Sequence, residues 1–359
     1  MNRRWVCNDV WMDILPSFDY AKLGLKMALL SPRFNALVDK YFDGKPELVL
    51  WKVIVIKKSW YGTKPKLCVP IDGKFVGFSL PDHPLPNKIR FLFLRIDYID
   101  HSVLTFLRSN KQIWDRSGIN LELLATSSSA IGFIIQPWDV FAREIWPIFA
   151  TNIRHLSLAG HDQSYWLLQF ISPTFLSDLN QLNSINAGDL FPDGIADFGW
   201  QYVTPAGQAL TKWLHTPKKD GQPKRLHCRD YEYPPSLEWI TSFKEVFLSA
   251  TTSVGYQIRM TFLLTLPPSE PFELVNEGTN EKLTLRKEGD AFNWLLNRCP
   301  IGEKTATVQR KKDENWDDNL NNIKFNLWHG NNNTIGPLSP STEKSGSKQP
   351  KCRLMSARK

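Results

Sequence analysis

The sequence predicts a chain of mixed α+β and α/β class: an N-terminal three-helix unit, then an irregular βα-repeat domain with a β-hairpin ending. Three observations carry this prediction. Residues 5–47 place apolar side chains at helical spacing with almost no loop between segments. Residues 48–100 change to runs rich in Val, Ile, Phe and Leu, separated by Gly-, Pro- and Asp-containing breaks. From Ile89 onward, strand-like and helix-like segments alternate with a repeat of roughly 30–40 residues.

In the first unit, Asn8 or Asp9 is positioned to cap a helix whose apolar residues are Trp11, Ile14, Leu15 and Phe18, and Pro16 marks its early end or a bend. Asp19 is positioned to cap a second helix carrying Leu23, Met27 and Leu30. The stretch "ALLSPRFNALVDKYF" then breaks at Ser31-Pro32 and resumes at once with Phe34, Leu37, Val38 and Tyr41. Ser31 as the cap and Pro32 at the first helical position, where a missing N–H costs nothing, make this break a sharp corner. Three short helices alone bury too little surface, so the unit should lean on a partner or on the following domain.

"LVLWKVIVIKK", "KPKLCVPI", "KFVGFSL" and "KIRFLFLRIDYID" read as strands. The alternation follows. "IRFLFLRI" precedes a helix with Val103, Phe106, Leu107 and Trp114, and "INLELLA" one with Trp138, Phe141, Ala142, Ile145, Trp146 and Phe149. "IRHLSL" precedes residues 165–179, "LNSINAGDL" a helix over 206–214, and "KRLHCRD" one over 237–250, with "YQIRMTFLL" closing the series. Such units fit an ordinary parallel α/β sheet or a curved repeat array, and the "IxxLxL"-like spacing leans toward an irregular leucine-rich-repeat-like horseshoe. In a horseshoe, target contacts belong to the concave strand face and adjoining loops.

After Pro267-Pro268, "PFELVNEGTNEKLTLRK" reads as a hairpin with its turn over 276–280, "NWLLNRCPI" as a further strand and "NNIKFNLWH" as the last. Residues 311–318 read as a charged loop or short helix. Domain bounds are accordingly 5–47 for the helical unit, 48–328 for the α/β repeat-like domain, and 330–359 for a disordered basic tail.

Composition narrows function. With 359 residues, 14 Trp and 21 Phe, the chain has material for a large core. The net charge is +8, but 330–359 holds six Lys/Arg against Glu343 alone, so the body is nearly neutral and no nucleic-acid partner is expected. Five scattered cysteines (Cys7, Cys68, Cys228, Cys299, Cys352) without a CxxC spacing signal neither a disulfide framework nor a zinc cage. Arg3 and Arg4 are followed by Asn8, Asp9 and Asp13, which interrupt any apolar signal-peptide core, and no apolar run approaches the ~18 residues of a membrane span. The expectation is a cytoplasmic or nuclear protein with no signal peptide and no membrane partner.

No phosphate-binding glycine motif, nucleophile elbow, HExxH helix or kinase set occurs, so the chain is expected to be no enzyme and to need no cofactor or metal. His161-Asp162 is the sharpest local pair and reads as a loop after a strand, while His155, His227 and Cys228 read as strand residues. "KKSWYG" and "KPK" near residue 60 make a basic patch with aromatic interleaving, or equally a hairpin loop beside a buried strand.

"NDVWMDILPSFDYAKLGLKMALLSPRFNALVDKYF" resembles an F-box, two helices with a dense apolar face, a tight turn and then "LLSPRFNALVD". Together with "IWPIFATNIRHLSL", "GQALTKWLHTPKKDGQPKRLHC" and "WLLNRCPIG", it resembles the expanded F-box family of plant-parasitic nematodes over residues 5–305. The resemblance implies a substrate-receptor subunit of an SCF-type ubiquitin ligase. Its partners would be a Skp1-like protein, through it a cullin, and an unknown protein substrate held by the second domain. It implies Skp1-facing positions at Val10, Trp11, Ile14, Leu15, Phe18, Leu23, Leu25, Pro32 and Phe34. The same apolar residues can instead fill the helical core, and the alternative is a protein-interaction scaffold outside such a ligase, with a degenerate F-box.

Overall fold

The computed structural model describes residues 6–18, 23–43, 48–51, 54–58, 64–71, 74–81, 83–85, 89–116, 118–124, 139–159, 175–188, 192, 205–230, 237–262, 270–289, 292–302 and 321–326. His161-Asp162, residues 311–318, Cys352 and the basic tail lie outside them. Among the described residues no helix is long and apolar enough to cross a membrane.

The chain begins with helix α1 (Asn8–Ile14), which runs into a 3-10 turn at Leu15–Ser17 with Pro16 in its first positions. Pro16 ends the α-helix as its missing N–H requires. Neither expected residue caps α1. Cys7 holds the N-cap without a side-chain bond, and the Asn8 carboxamide instead accepts from Arg33 Nε at 3.1 Å and Nη2 at 2.8 Å. The expected second helix is a π-type turn at Leu23–Met27 followed by a 3-10 turn at Ala28–Leu30, with Gly24 weakening regular helix inside it. Ser31 is extended (φ −168°, ψ 163°), as a residue before proline prefers, and its Oγ accepts from the Phe34 backbone N–H at 3.3 Å. Helix α2 (Pro32–Asp43) starts from that cap.

Fifteen strands follow among the described residues. A small parallel pair joins β1 (Leu48–Trp51) to β5 (Ile89–Phe91). The other thirteen form one sheet: β2 (Ile54–Lys58), β3 (Pro65–Ile71), β4 (Lys74–Ser79), β6 (Phe93–Ile96), β7 (Ile119–Leu124), β8 (Ile153–Ala159), β9 (Ser184–Gly188), β10 (Lys224–Asp230), β11 (Tyr256–Phe262), β12 (Phe272–Asn276), β13 (Glu281–Lys287), β14 (Asn293–Pro300) and β15 (Asn321–Asn326). Their order is 12-13-14-11-10-9-8-7-15-6-2-3-4. From β11 through β2 all neighbours are parallel, and both ends of the sheet are antiparallel.

Two expected single strands are each divided between sheets. "LVLWKVIVIKK" becomes β1 and β2, and "KIRFLFLRIDYID" becomes β5 and β6. Between β5 and β6 the Leu92 carbonyl is claimed by Asn322, through its backbone N–H at 3.3 Å and its side-chain amide at 2.7 Å. That draws β15 between β6 and β7, so parallel strands consecutive in sequence lie side by side from β7 to β11.

Helices fill the crossovers. Asp100 caps α3 (His101–Ser109) by accepting from the Val103 N–H at 3.0 Å. The single helix expected through Trp114 breaks at buried Asn110, and α4 (Lys111–Arg116) follows. The Asn110 side chain accepts from Leu85 N–H at 2.8 Å and donates to the Phe106 carbonyl at 2.7 Å, which stops the helix to satisfy two buried groups. A π-type turn at Phe141–Ile145 leads into α5 (Trp146–Phe149), with Pro147 at its start, and α6 (Phe175–Asp178) precedes β9. Helices α7 (Pro205–His215) and α8 (Leu237–Ser249) match the expected segments closely.

Strand alternation decides the faces. In register across the sheet, Leu94, Ile323, Leu121, Leu156, Ile185, Leu226 and Ile258 form one aliphatic row, all no more than 2% exposed. This row belongs to one contiguous core that also takes in Leu15, Leu23, Leu37, Val38 and Phe42 from the head. Residues between them in sequence point to the opposite face, which is polar. The hairpin at the far end also forms as read, with Asn280 at φ +55° in the turn between β12 and β13.

Candidate protein-docking surfaces

The N-terminal head presents the first surface. Helix α1 buries none of its residues completely, although it carries Val10, Trp11, Met12 and Ile14. Trp11 packs edge-on against Phe34 of α2 at 4.8 Å between ring centroids, and the Arg33 guanidinium ties α2 to Asn8 and to the Val6 carbonyl at 2.5 Å. Val10 and Ile14, four residues apart on one helical face, remain 44% and 37% exposed. Val6 and Leu30 are also exposed, so four of the eleven exposed large apolar side chains among the described residues fall within 6–30.

The nine sequence-derived positions therefore separate. Val10, Ile14 and Pro32 face solvent, and Trp11, Phe18 and Phe34 are half-buried against the core. Leu15 and Leu23 are fully buried and belong to the core. Leu15 opens the 3-10 turn after α1 and Leu23 opens the π-type turn. The side chain of Leu25 lies outside the described set. Val6 and Leu30 are not among the nine; Val6 continues the Val6–Val10–Ile14 spacing of four.

The second surface is the polar face of the sheet. One register row runs Arg95, Lys324, Glu122, Ser157, Asn186, His227 and Arg259 over β6, β15 and β7 to β11. The next carries Asn322, Asn120, His155, Ser184, Arg225 and Gln257. Lys324 pairs with Glu122 at 2.8 Å, Arg259 with Glu288 at 3.3 Å, and the Asn120 amide donates to Asn322 at 3.0 Å. Thr261 Oγ1 donates to Asn293 at 3.0 Å, with His227 Nε2 at 3.5 Å from the same hydroxyl. These are hydrogen-bonding groups spread along a broad surface, suited to a macromolecular partner. His155 and His227 lie on this face, while Cys228 is buried in the covered one.

Buried ionisable groups elsewhere serve the fold. Burial, with nearby Lys218 adding, pushes Lys224 down to about 8. Its ammonium donates to the Trp213 carbonyl and, at 2.5 Å, to the Thr216 carbonyl, closing the C-terminal end of α7. Glu281 and Arg298 form an ion pair at 2.6 Å with both side chains 1% exposed. Among the described residues no three His, Cys, Asp or Glu side chains gather as metal ligands would. Cys7 is exposed and Cys68, Cys228 and Cys299 are buried, and none of the four is in a disulfide. No protein-family model matches the chain, and no curated protein and no solved structure is significantly similar to it.

Proposed function

We propose that the chain is an F-box-type substrate receptor of an SCF-type ubiquitin ligase, with no catalytic chemistry of its own, acting in the cytoplasm or nucleus. In this reading the head docks on a Skp1-like adaptor, which links to a cullin, and the sheet domain holds a protein target on its polar, leucine-rich-repeat-like face. The observation that carries the reading is α1, a helix that buries none of its residues yet holds Val10 and Ile14 toward solvent. Burying the remaining exposed part of these two side chains on a partner contributes roughly 1 kcal/mol each. The capped corner at Ser31-Pro32 supports it by fixing α2 against α1, as an F-box needs.

Affinity purification of the full chain tests the reading, with partners identified by mass spectrometry. Recovery of a Skp1-like protein and a cullin with wild type, and their loss with Val10→Asp/Ile14→Asp, is the expected result. These positions are preferable to Leu15, whose substitution disrupts the core. The second reading, a scaffold with a degenerate F-box, is favoured if other proteins co-purify stoichiometrically while Skp1 and cullin are absent.

A further inference from the structure

The end of the sheet nearest the head has a feature that neither docking surface uses. Strand β4 is the last strand, and among the described residues it pairs only with β3. It is exposed along most of its six residues, with Phe75 at 56% and Val76 at 39%. Lys57, Lys58, Lys64, Lys66 and Lys74 are all exposed around it, and residues 54–79 contain a single acid, Asp72.

Lys57 and Lys66 share one face of this end of the sheet, the face that also carries Phe75, and Lys74 lies on the other. Cross-strand register sets Lys57 directly opposite Lys66, a like-charge pairing that weakens a ladder. The Lys66 stem lies over Gly77, where an added Cβ would come within 3.0 Å of it. The Lys57 ammonium sits 5.3 Å from the Phe75 ring centroid. Burial pushes the Cys68 thiol up while Lys57 and Lys66 both pull it down, so the two ammonium groups act on the same point. The positive field is therefore concentrated beside an open backbone edge.

We infer that β4 is an acceptor edge for an extended acidic segment of a partner protein, which adds as a further strand with its carboxylates on the face that carries Lys57 and Lys66. Backbone hydrogen bonds along β4 supply affinity, and the lysines with exposed Phe75 and Val76 supply selection. A second copy of β4 is excluded by the same charge, since edge lysines repel an identical edge. Phosphate chains would use the charge but not the backbone edge. The inference goes beyond the ubiquitin-ligase reading and does not depend on it.

Fluorescence anisotropy with the full chain tests it. The probe is a labelled peptide of alternating glutamate and valine, as long as β4. Wild type should bind it, and Lys57→Glu/Lys66→Glu should weaken binding about tenfold or more at low salt with an unchanged melting temperature. Alternate N-methylation of the peptide amides should abolish binding. No binding of the acidic peptide overturns the inference and leaves the lysines as a device that blunts the edge. Equal binding by the charge-reversed chain or of the N-methylated peptide also overturns it. So does binding of a thymidine oligonucleotide without the peptide, which would make the patch a nucleic-acid surface.

Discussion

Glu281→Gln removes one charge from the most completely enclosed ion pair among the described residues while keeping the side chain's shape. Glu281 accepts from Ser253 Oγ and the Val254 N–H, both at 2.8 Å, and from Arg298 Nε at 3.0 Å and Nη2 at 2.6 Å. Arg298 also donates to the Thr252 carbonyl at 3.0 Å and lies over the Phe247 ring at 5.2 Å. The pair thus joins β13 and β14 to the loop before β11 and to the base of α8. In the variant, Arg298 keeps its charge at 1% exposure with no compensating anion, a situation that costs about 3–5 kcal/mol. Equilibrium urea unfolding reads this directly, and the melting temperature should fall by roughly 4–7 °C. Glu281→Leu/Arg298→Met removes both charges and should recover part of the loss, leaving about 1–3 kcal/mol for the orphaned Val254 N–H. A loss under about 1 kcal/mol in Glu281→Gln, or a double variant no more stable than Glu281→Gln, refutes the argument.

Two further outcomes follow from other elements. Ser31→Ala removes the α2 cap and should lower stability by about 1 kcal/mol in the same assay, whereas no change would show that Ser31 Oγ does not cap. Lys224 loses its proton near pH 8 when folded but near 10.5 when unfolded, so between those values the unfolded chain binds the extra proton. Stability from this site therefore rises with pH across that window by up to about 3 kcal/mol. Unfolding at pH 8 and 10.5 should show this rise in wild type and lose it in Lys224→Met; identical pH dependence in both would contradict it.

Much of the fold was legible wherever local chemistry decides it. Ser31-Pro32 carries its own corner, "KRLHCRD" its own strand, and the turn before Glu281 its own hairpin, because capping, alternation and turn residues act over a few positions. What could not be read depends on distant partners. β15 enters between β6 and β7 because Asn322 reaches the Leu92 carbonyl 230 residues away, and nothing in "NNIKFNLWH" names that partner. The break at Asn110 likewise serves Leu85, a residue 25 positions earlier. On the head, an apolar stripe is required whether a helix faces a core or a partner, so Leu15 and Val10 looked equivalent. Packing separates them, with Leu15 inside and Val10 outside.

The most direct measurement is calorimetric titration of a purified Skp1-like adaptor into the 359-residue chain and into its Val10→Asp/Ile14→Asp variant. The account predicts saturable one-to-one binding by wild type and affinity reduced a hundredfold or more, about 3 kcal/mol, in the variant, at equal melting temperature. Absence of binding by a folded wild-type chain, or equal affinity in the variant, would contradict it.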